Sequence, residues 1–73
     1  MIVDLSNKGF KLFPTSIGEL TQELDISNNQ LTELPEHIQN LTELKWLSLS
    51  TNLISISEQE KIKKLLPTCK IIF

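Results

Sequence analysis

Three short stretches of the chain, VDLS at 3–6, ELDIS at 23–27 and WLSLS at 46–50, alternate apolar and polar residues. Alternation of period two marks a half-buried strand. It puts Val3, Leu5, Leu24, Ile26, Leu47 and Leu49 on one side, and Asp4, Ser6, Asp25, Ser27, Ser48 and Ser50 on the other. A fourth alternation, Cys69–Phe73, ends the chain with Cys69, Ile71 and Phe73 inward. Strands that recur every 21 to 24 residues, with return segments between them, are predicted to pair in parallel and to be joined in the same hand.

The pattern is a repeat. Thr21–Leu31, TQELDISNNQL, lies over Leu44–Ile54, LKWLSLSTNLI, at a shift of 23 residues. Leu24, Ile26, Asn29 and Leu31 then fall on Leu47, Leu49, Asn52 and Ile54. The template Leu-x-x-Leu-x-Leu-x-x-Asn-x-Leu is filled throughout the second copy. In the first it fails only at Thr21. An incomplete earlier copy precedes both. Asp4-Leu5-Ser6-Asn7 matches Asp25-Ile26-Ser27-Asn28, and Phe13-Pro14-x-x-Ile17-x-x-Leu20 matches Leu34-Pro35-x-x-Ile38-x-x-Leu41, at a shift of 21. The first turn is therefore two residues short between Leu20 and Leu24, and Leu20 is expected to stand in for the leucine missing at Thr21.

The returns and the chain end carry their own signals. Proline disfavours helix in the residue before it, so Phe13-Pro14 and Leu34-Pro35 mark an extended chain about to turn. Ile17 with Leu20, and Ile38 with Leu41, are three apart, so a short helical turn points both members of each pair inward. Asn29 and Asn52 follow the strands, where the backbone bends inward and polar groups need partners. An amide side chain supplies both donors and an acceptor there. Lys8 holds the equivalent place in the first copy. Near the end, Ser57-Glu58-Gln59-Glu60 reads as a capping box with Ser57 as N-cap. Ile62, Leu65 and Leu66 form the apolar stripe of the helix that follows, and Pro67 stops it.

Apolar spacing, asparagine and Leu-Pro recurring together resemble the leucine-rich-repeat family, in its 23-residue type with Leu-Pro-x-x-Ile. The likeness runs from about Ile2 to Phe73, and the helix–strand ending resembles those of small bacterial repeat proteins. The resemblance implies an α/β fold, a short right-handed solenoid with a parallel sheet of about four strands and a C-terminal helix–strand cap. A single domain spans 1–73, with repeats at about 1–23, 24–46 and 47–56 and the cap at 57–73. It also implies an asparagine ladder at Asn29 and Asn52.

Composition narrows the function. A net charge of −2 and a pI near 5.2 leave no basic footprint for nucleic acid. The local cluster Lys61, Lys63 and Lys64 lies on the expected helix and reads as a solvated face. No stretch is long enough to cross a bilayer, and MIVDLSNKGF lacks the pattern of a secretory signal. Asn40-Leu41-Thr42 is therefore expected to be an idle sequon. The single cysteine, Cys69, fits a reducing cytoplasm, which is the expected compartment.

Catalytic chemistry is not expected. His37, on the outer side of a return, and Cys69, in the last strand, lie too far apart in the pattern for a nucleophile–base pair. No metal is expected either, because Asp4 and Asp25 on adjacent strands read as a solvated acidic patch. Gly9 and Gly18 are isolated and make no phosphate-cradling loop. No cofactor is implied.

What the resemblance implies instead is a non-catalytic protein–protein interaction module that uses the concave, polar face of the sheet. Carried over by position, that face presents Asp4, Ser6, Gln22, Asp25, Ser27, Trp46, Ser48, Ser50, Lys70 and Ile72. Asp4, Gln22, Asp25, Trp46, Ser48 and Lys70 are the candidate contacts. Trp46 stands out, since tryptophan is enriched in binding hot spots. The alternative is self-assembly, a homodimer or domain swap through the edge of the first strand at Ile2–Leu5.

Overall fold

Four three-residue strands line up in chain order into one parallel sheet: β1 (Ile2–Asp4), β2 (Glu23–Asp25), β3 (Trp46–Ser48) and β4 (Lys70–Ile72). The computed structural model describes all residues, 1–73. Val3, Leu24, Leu47 and Ile71 stand opposite one another across the four strands. The offset is 21 residues between β1 and β2, 23 between β2 and β3, and 24 between β3 and β4. Pairing continues past the strands. Leu5 N–H donates to Asp25 O at 2.7 Å, Ile26 to Ser48 O at 3.0 Å, and Leu49 to Ile72 O at 2.7 Å.

The inward side chains build the core. Leu24, Ile26, Leu31 and Leu47 are wholly buried, with Leu34, Ile38 and Leu49 nearly so. Phe13, Leu41, Leu44, Ile62 and Leu66 complete the cluster. Val3 and Leu5, on the outermost strand, are only half-buried against it. After each of the first three strands the chain bends through a residue of positive φ: Asn7 at 58°, Asn28 at 55° and Thr51 at 57°. Asparagine tolerates this region, whereas a β-branched threonine is strained there.

The two returns differ. In the second, residues Glu36–Asn40 form a 3₁₀ helix that buries Ile38, and Leu41 N–H donates to Ile38 O at 3.0 Å. No helix forms in the first return. Leu20 does not replace the missing leucine, being 73% exposed, and Ile17 is only half-buried. Thr21 occupies the leucine position itself, with no exposed surface. Its hydroxyl donates to Gly18 O at 2.7 Å, so its polar atom is satisfied locally while its methyl group joins the core.

The end piece is α1 (Ile56–Leu65) followed by β4. The N-cap is Ser55, not Ser57: its Oγ accepts from Glu58 N–H at 3.2 Å. The Glu58 carboxylate does not fold back onto its own helix; Oε2 accepts from Leu34 N–H at 3.2 Å, in the second return. That backbone donor selects the earlier of two overlapping Ser-x-x-Glu frames. Ile62 is buried completely and Leu66 largely, Leu65 is half-buried, and Lys63 Nζ lies 6.0 Å from the centre of the Phe73 ring.

Candidate functional site

Alternation sends the residues flanking each inward side chain to the open face of the sheet, and the register sorts them into rows. One row is Ile2, Glu23, Trp46 and Lys70; the next is Asp4, Asp25, Ser48 and Ile72. Ser6, Ser27 and Ser50 follow beyond them. Trp46 sits on an inner strand with a carboxylate on one side and an ammonium on the other. It is half-buried, so part of the ring is packed and part stays open.

The acidic pair is engaged locally. Asp4 Oδ1 accepts from Ser6 N–H at 3.0 Å and from Ser6 Oγ at 2.6 Å. Asp25 Oδ1 accepts from Ser27 N–H at 3.1 Å and Ser27 Oγ at 2.6 Å. Each aspartate thus braces the chain as it leaves its strand. The serine hydrogen bonds hold the Asp4 carboxyl below the usual carboxylate range, with a smaller contribution from Lys8. Ser48, 6% exposed, has its Oγ 3.4 Å from Ser50 Oγ and offers little surface.

Gln22 does not share the row of Trp46. It stands one residue ahead of β2, its Oε1 accepting from the Met1 amino group at 2.9 Å. Glu23 has the place beside Trp46. A single step back from the inward Leu24 would have found it, because alternation makes the residue directly before an inward one face outward.

Behind the face, Asn29 and Asn52 clamp successive turns. Asn29 Nδ2 donates to the carbonyls of Leu5, Ile26 and Ser27, while its Oδ1 accepts from the N–H groups of Lys8 and Phe10. Asn52 repeats this one turn on, donating to Ile26, Leu49 and Ser50 and accepting from Leu31 N–H. The profile of the Leucine Rich Repeat family matches residues 21–41, which hold β2, Asn29 and the second return as far as Leu41. A solved leucine-rich-repeat protein of Leptospira interrogans superimposes with a TM-score of 0.71, at 51% identity over 73% of this chain. The chain has the leucine-rich-repeat fold.

The match spans 14% of the length of the Leptospira chain, so the likeness concerns the repeats and their stacking. No curated protein matches the chain. In leucine-rich-repeat terms, Asn29 and Asn52 are the ladder, and Lys8 takes part through its backbone N–H, bonded to Asn29 Oδ1 at 3.0 Å. His37 is exposed on the 3₁₀ helix of the second return. Cys69 is a free, half-buried thiol just before β4, pushed up in pKa by its burial. No three His, Cys, Asp or Glu side chains converge where a metal ion would need them. No helix is long and apolar enough to cross a membrane.

Proposed function

We propose that this leucine-rich-repeat chain is a non-catalytic module that binds another protein through the open face of its sheet, with Trp46 as the anchor. The supporting observation is the row Glu23–Trp46–Lys70, which places a half-packed indole between opposite charges. A tryptophan already packed on one side has less freedom to lose on binding, and its remaining surface is apolar and wide. The flanking charges orient a partner more than they hold it.

Scale limits the partner. Four strands at the usual spacing give a face about 14 Å across, within a body of 25 × 24 × 18 Å. Such a face is well below the roughly 800 Å² that each partner contributes to a standard interface. The occupant is accordingly a short segment or protruding loop of the partner. The compartment proposed is the cytoplasm, supported by the lone Cys69, which has no cysteine within the chain to pair with.

Affinity capture from the source cell with wild type and Trp46→Ala tests the reading. Retention lost in the variant is the expected result. A tryptophan emission that is fully blue-shifted and beyond the reach of quenchers would overturn the contact role.

Self-association is the second reading, favoured by one feature of the first turn. β1 pairs on one side only, and Met1, Ile2 and Leu20 beside it are 56%, 74% and 73% exposed. An edge strand with apolar neighbours is a template for another strand. Sedimentation over a wide concentration range would show a dimer if this reading holds, and a monomer throughout would sink it.

A further inference from the structure

The short first turn leaves a gap on the far side of the solenoid. Ile38 and Leu41 of the second return meet a first return that forms no helix, keeps Ile17 half-exposed and turns Leu20 to solvent. Between them is a hollow of about 140 Å³ walled by Phe13, Pro14 and Ile17 on one side and His37, Ile38 and Leu41 on the other. A second hollow of about 330 Å³ continues past Phe13, Thr15 and His37 toward Leu12, Leu34 and Lys61. Phe13, Thr15 and His37 line both, so the two make one groove between the returns.

The groove has a polarity of its own. Its wall includes Phe13, Leu34 and Leu12, the last 79% exposed. Three carboxylates, Glu19, Glu33 and Glu36, border it against the single lysine Lys61. We propose that this groove binds a short extended peptide carrying an apolar side chain next to lysine or arginine. The apolar group would cover Leu12 and the small open edge of the largely buried Phe13, and the cation would meet Glu33 and Glu36. Complementary charge steers such a segment in and rejects an acidic one. The site is separate from the open face of the sheet, and its existence does not depend on Trp46.

The test is a ¹⁵N amide-shift titration of the whole chain with a ten-residue peptide of alternating lysine and leucine, beside a control with glutamate for lysine. Saturable shifts confined to Leu12–Glu19 and Glu33–Asn40 are expected, with affinity at least tenfold weaker for the acidic control. The exposed double variant Glu33→Lys/Glu36→Lys, its fold checked by circular dichroism, is expected to lose tenfold or more, and Leu12→Ser to lose a smaller factor. No saturable shift, shifts centred on Glu23, Trp46 and Lys70, or equal binding of the two peptides would overturn the proposal.

Discussion

The first and second turns carry nearly the same motif and reach different ends. Leu24, Ile26 and Leu31 in the second turn have no exposed surface, yet Val3 and Leu5, at the positions of Leu24 and Ile26, are only half-buried. Ile38 and Leu41 close the second return, while Ile17 is half-open and Leu20 points to solvent. Sequence similarity is not what separates them. A turn of this fold hides its apolar side chains against a neighbour on each flank, and β1 has one neighbour where β2 has two. The same leucine is worth different amounts in the two places.

Matched truncations put that difference to the sharpest test. Ile26→Ala is expected to cost about 3–4 kcal/mol, as a fully buried side chain lost from a packed site. That is a large share of the roughly 4–11 kcal/mol a chain of this length holds. Leu5→Ala, at the equivalent position, should cost less than half as much. Urea unfolding followed by circular dichroism reads both, and equal losses would erase the distinction between the turns.

The asparagine clamp comes next in size. Asn29→Ala is expected to destabilise by about 2–3 kcal/mol, because it strips buried backbone groups of their partners. Asn29 also ties the first turn to the second through the N–H groups of Lys8 and Phe10. Hydrogen exchange should therefore speed up at Lys8 and Phe10 far more in Asn29→Ala than in Asn52→Ala. Equal protection in both variants would show that the strand pairing and packing hold the first turn without the Asn29 clamp.

Three further changes probe the bends and the cap. Ser55→Ala should cost about 1 kcal/mol through the lost N-cap, with Ser57→Ala close to neutral. Thr51→Asn should add somewhat less than about 1 kcal/mol, by giving the third bend the residue type that Asn7 and Asn28 supply at the other two. Thermal unfolding midpoints rank all three.

The smallest effect concerns acid. The folded Asp4 carboxyl is held below its ordinary pKa, so its contribution is present above the unfolded value and disappears as pH falls through the folded one. Carboxyl titration by NMR should show Asp4 moving up toward the ordinary range in Ser6→Ala. An unchanged midpoint would remove the Ser6 hydroxyl as the main cause, since the N–H of residue 6 still donates in the variant.

Much of this was legible along the chain, for a definite reason. Strands, repeat spacing and ladder asparagines depend on a residue and its own period, and alternation displays that directly. Positions decided by a distant partner were harder to read. Both Ser55 and Ser57 begin a Ser-x-x-Glu frame, and only the free N–H of Leu34, far back in the chain, selects Ser55. Leu20 has the right spacing from Ile17 for burial, but the shortened return brings Thr21 to the core position first, pinned by Gly18. Gln22 and Glu23 are both polar residues ahead of Leu24, and the pairing with Trp46 separates them. The groove between the returns has no motif, since it is the space left where two turns of unequal length fail to meet.

The offsets of 21, 23 and 24 residues between neighbouring strands also govern how the chain assembles. Closing a loop of 21 rather than 24 residues changes the entropic penalty by only about 0.1 kcal/mol. Each turn is thus almost equally hard to close, and the order of closure is set by how much oily surface each hides on arrival. The stretch from Leu24 to Leu49 hides the most, so the nucleus of folding belongs in the middle, with the first turn and the terminal helix joining from either side.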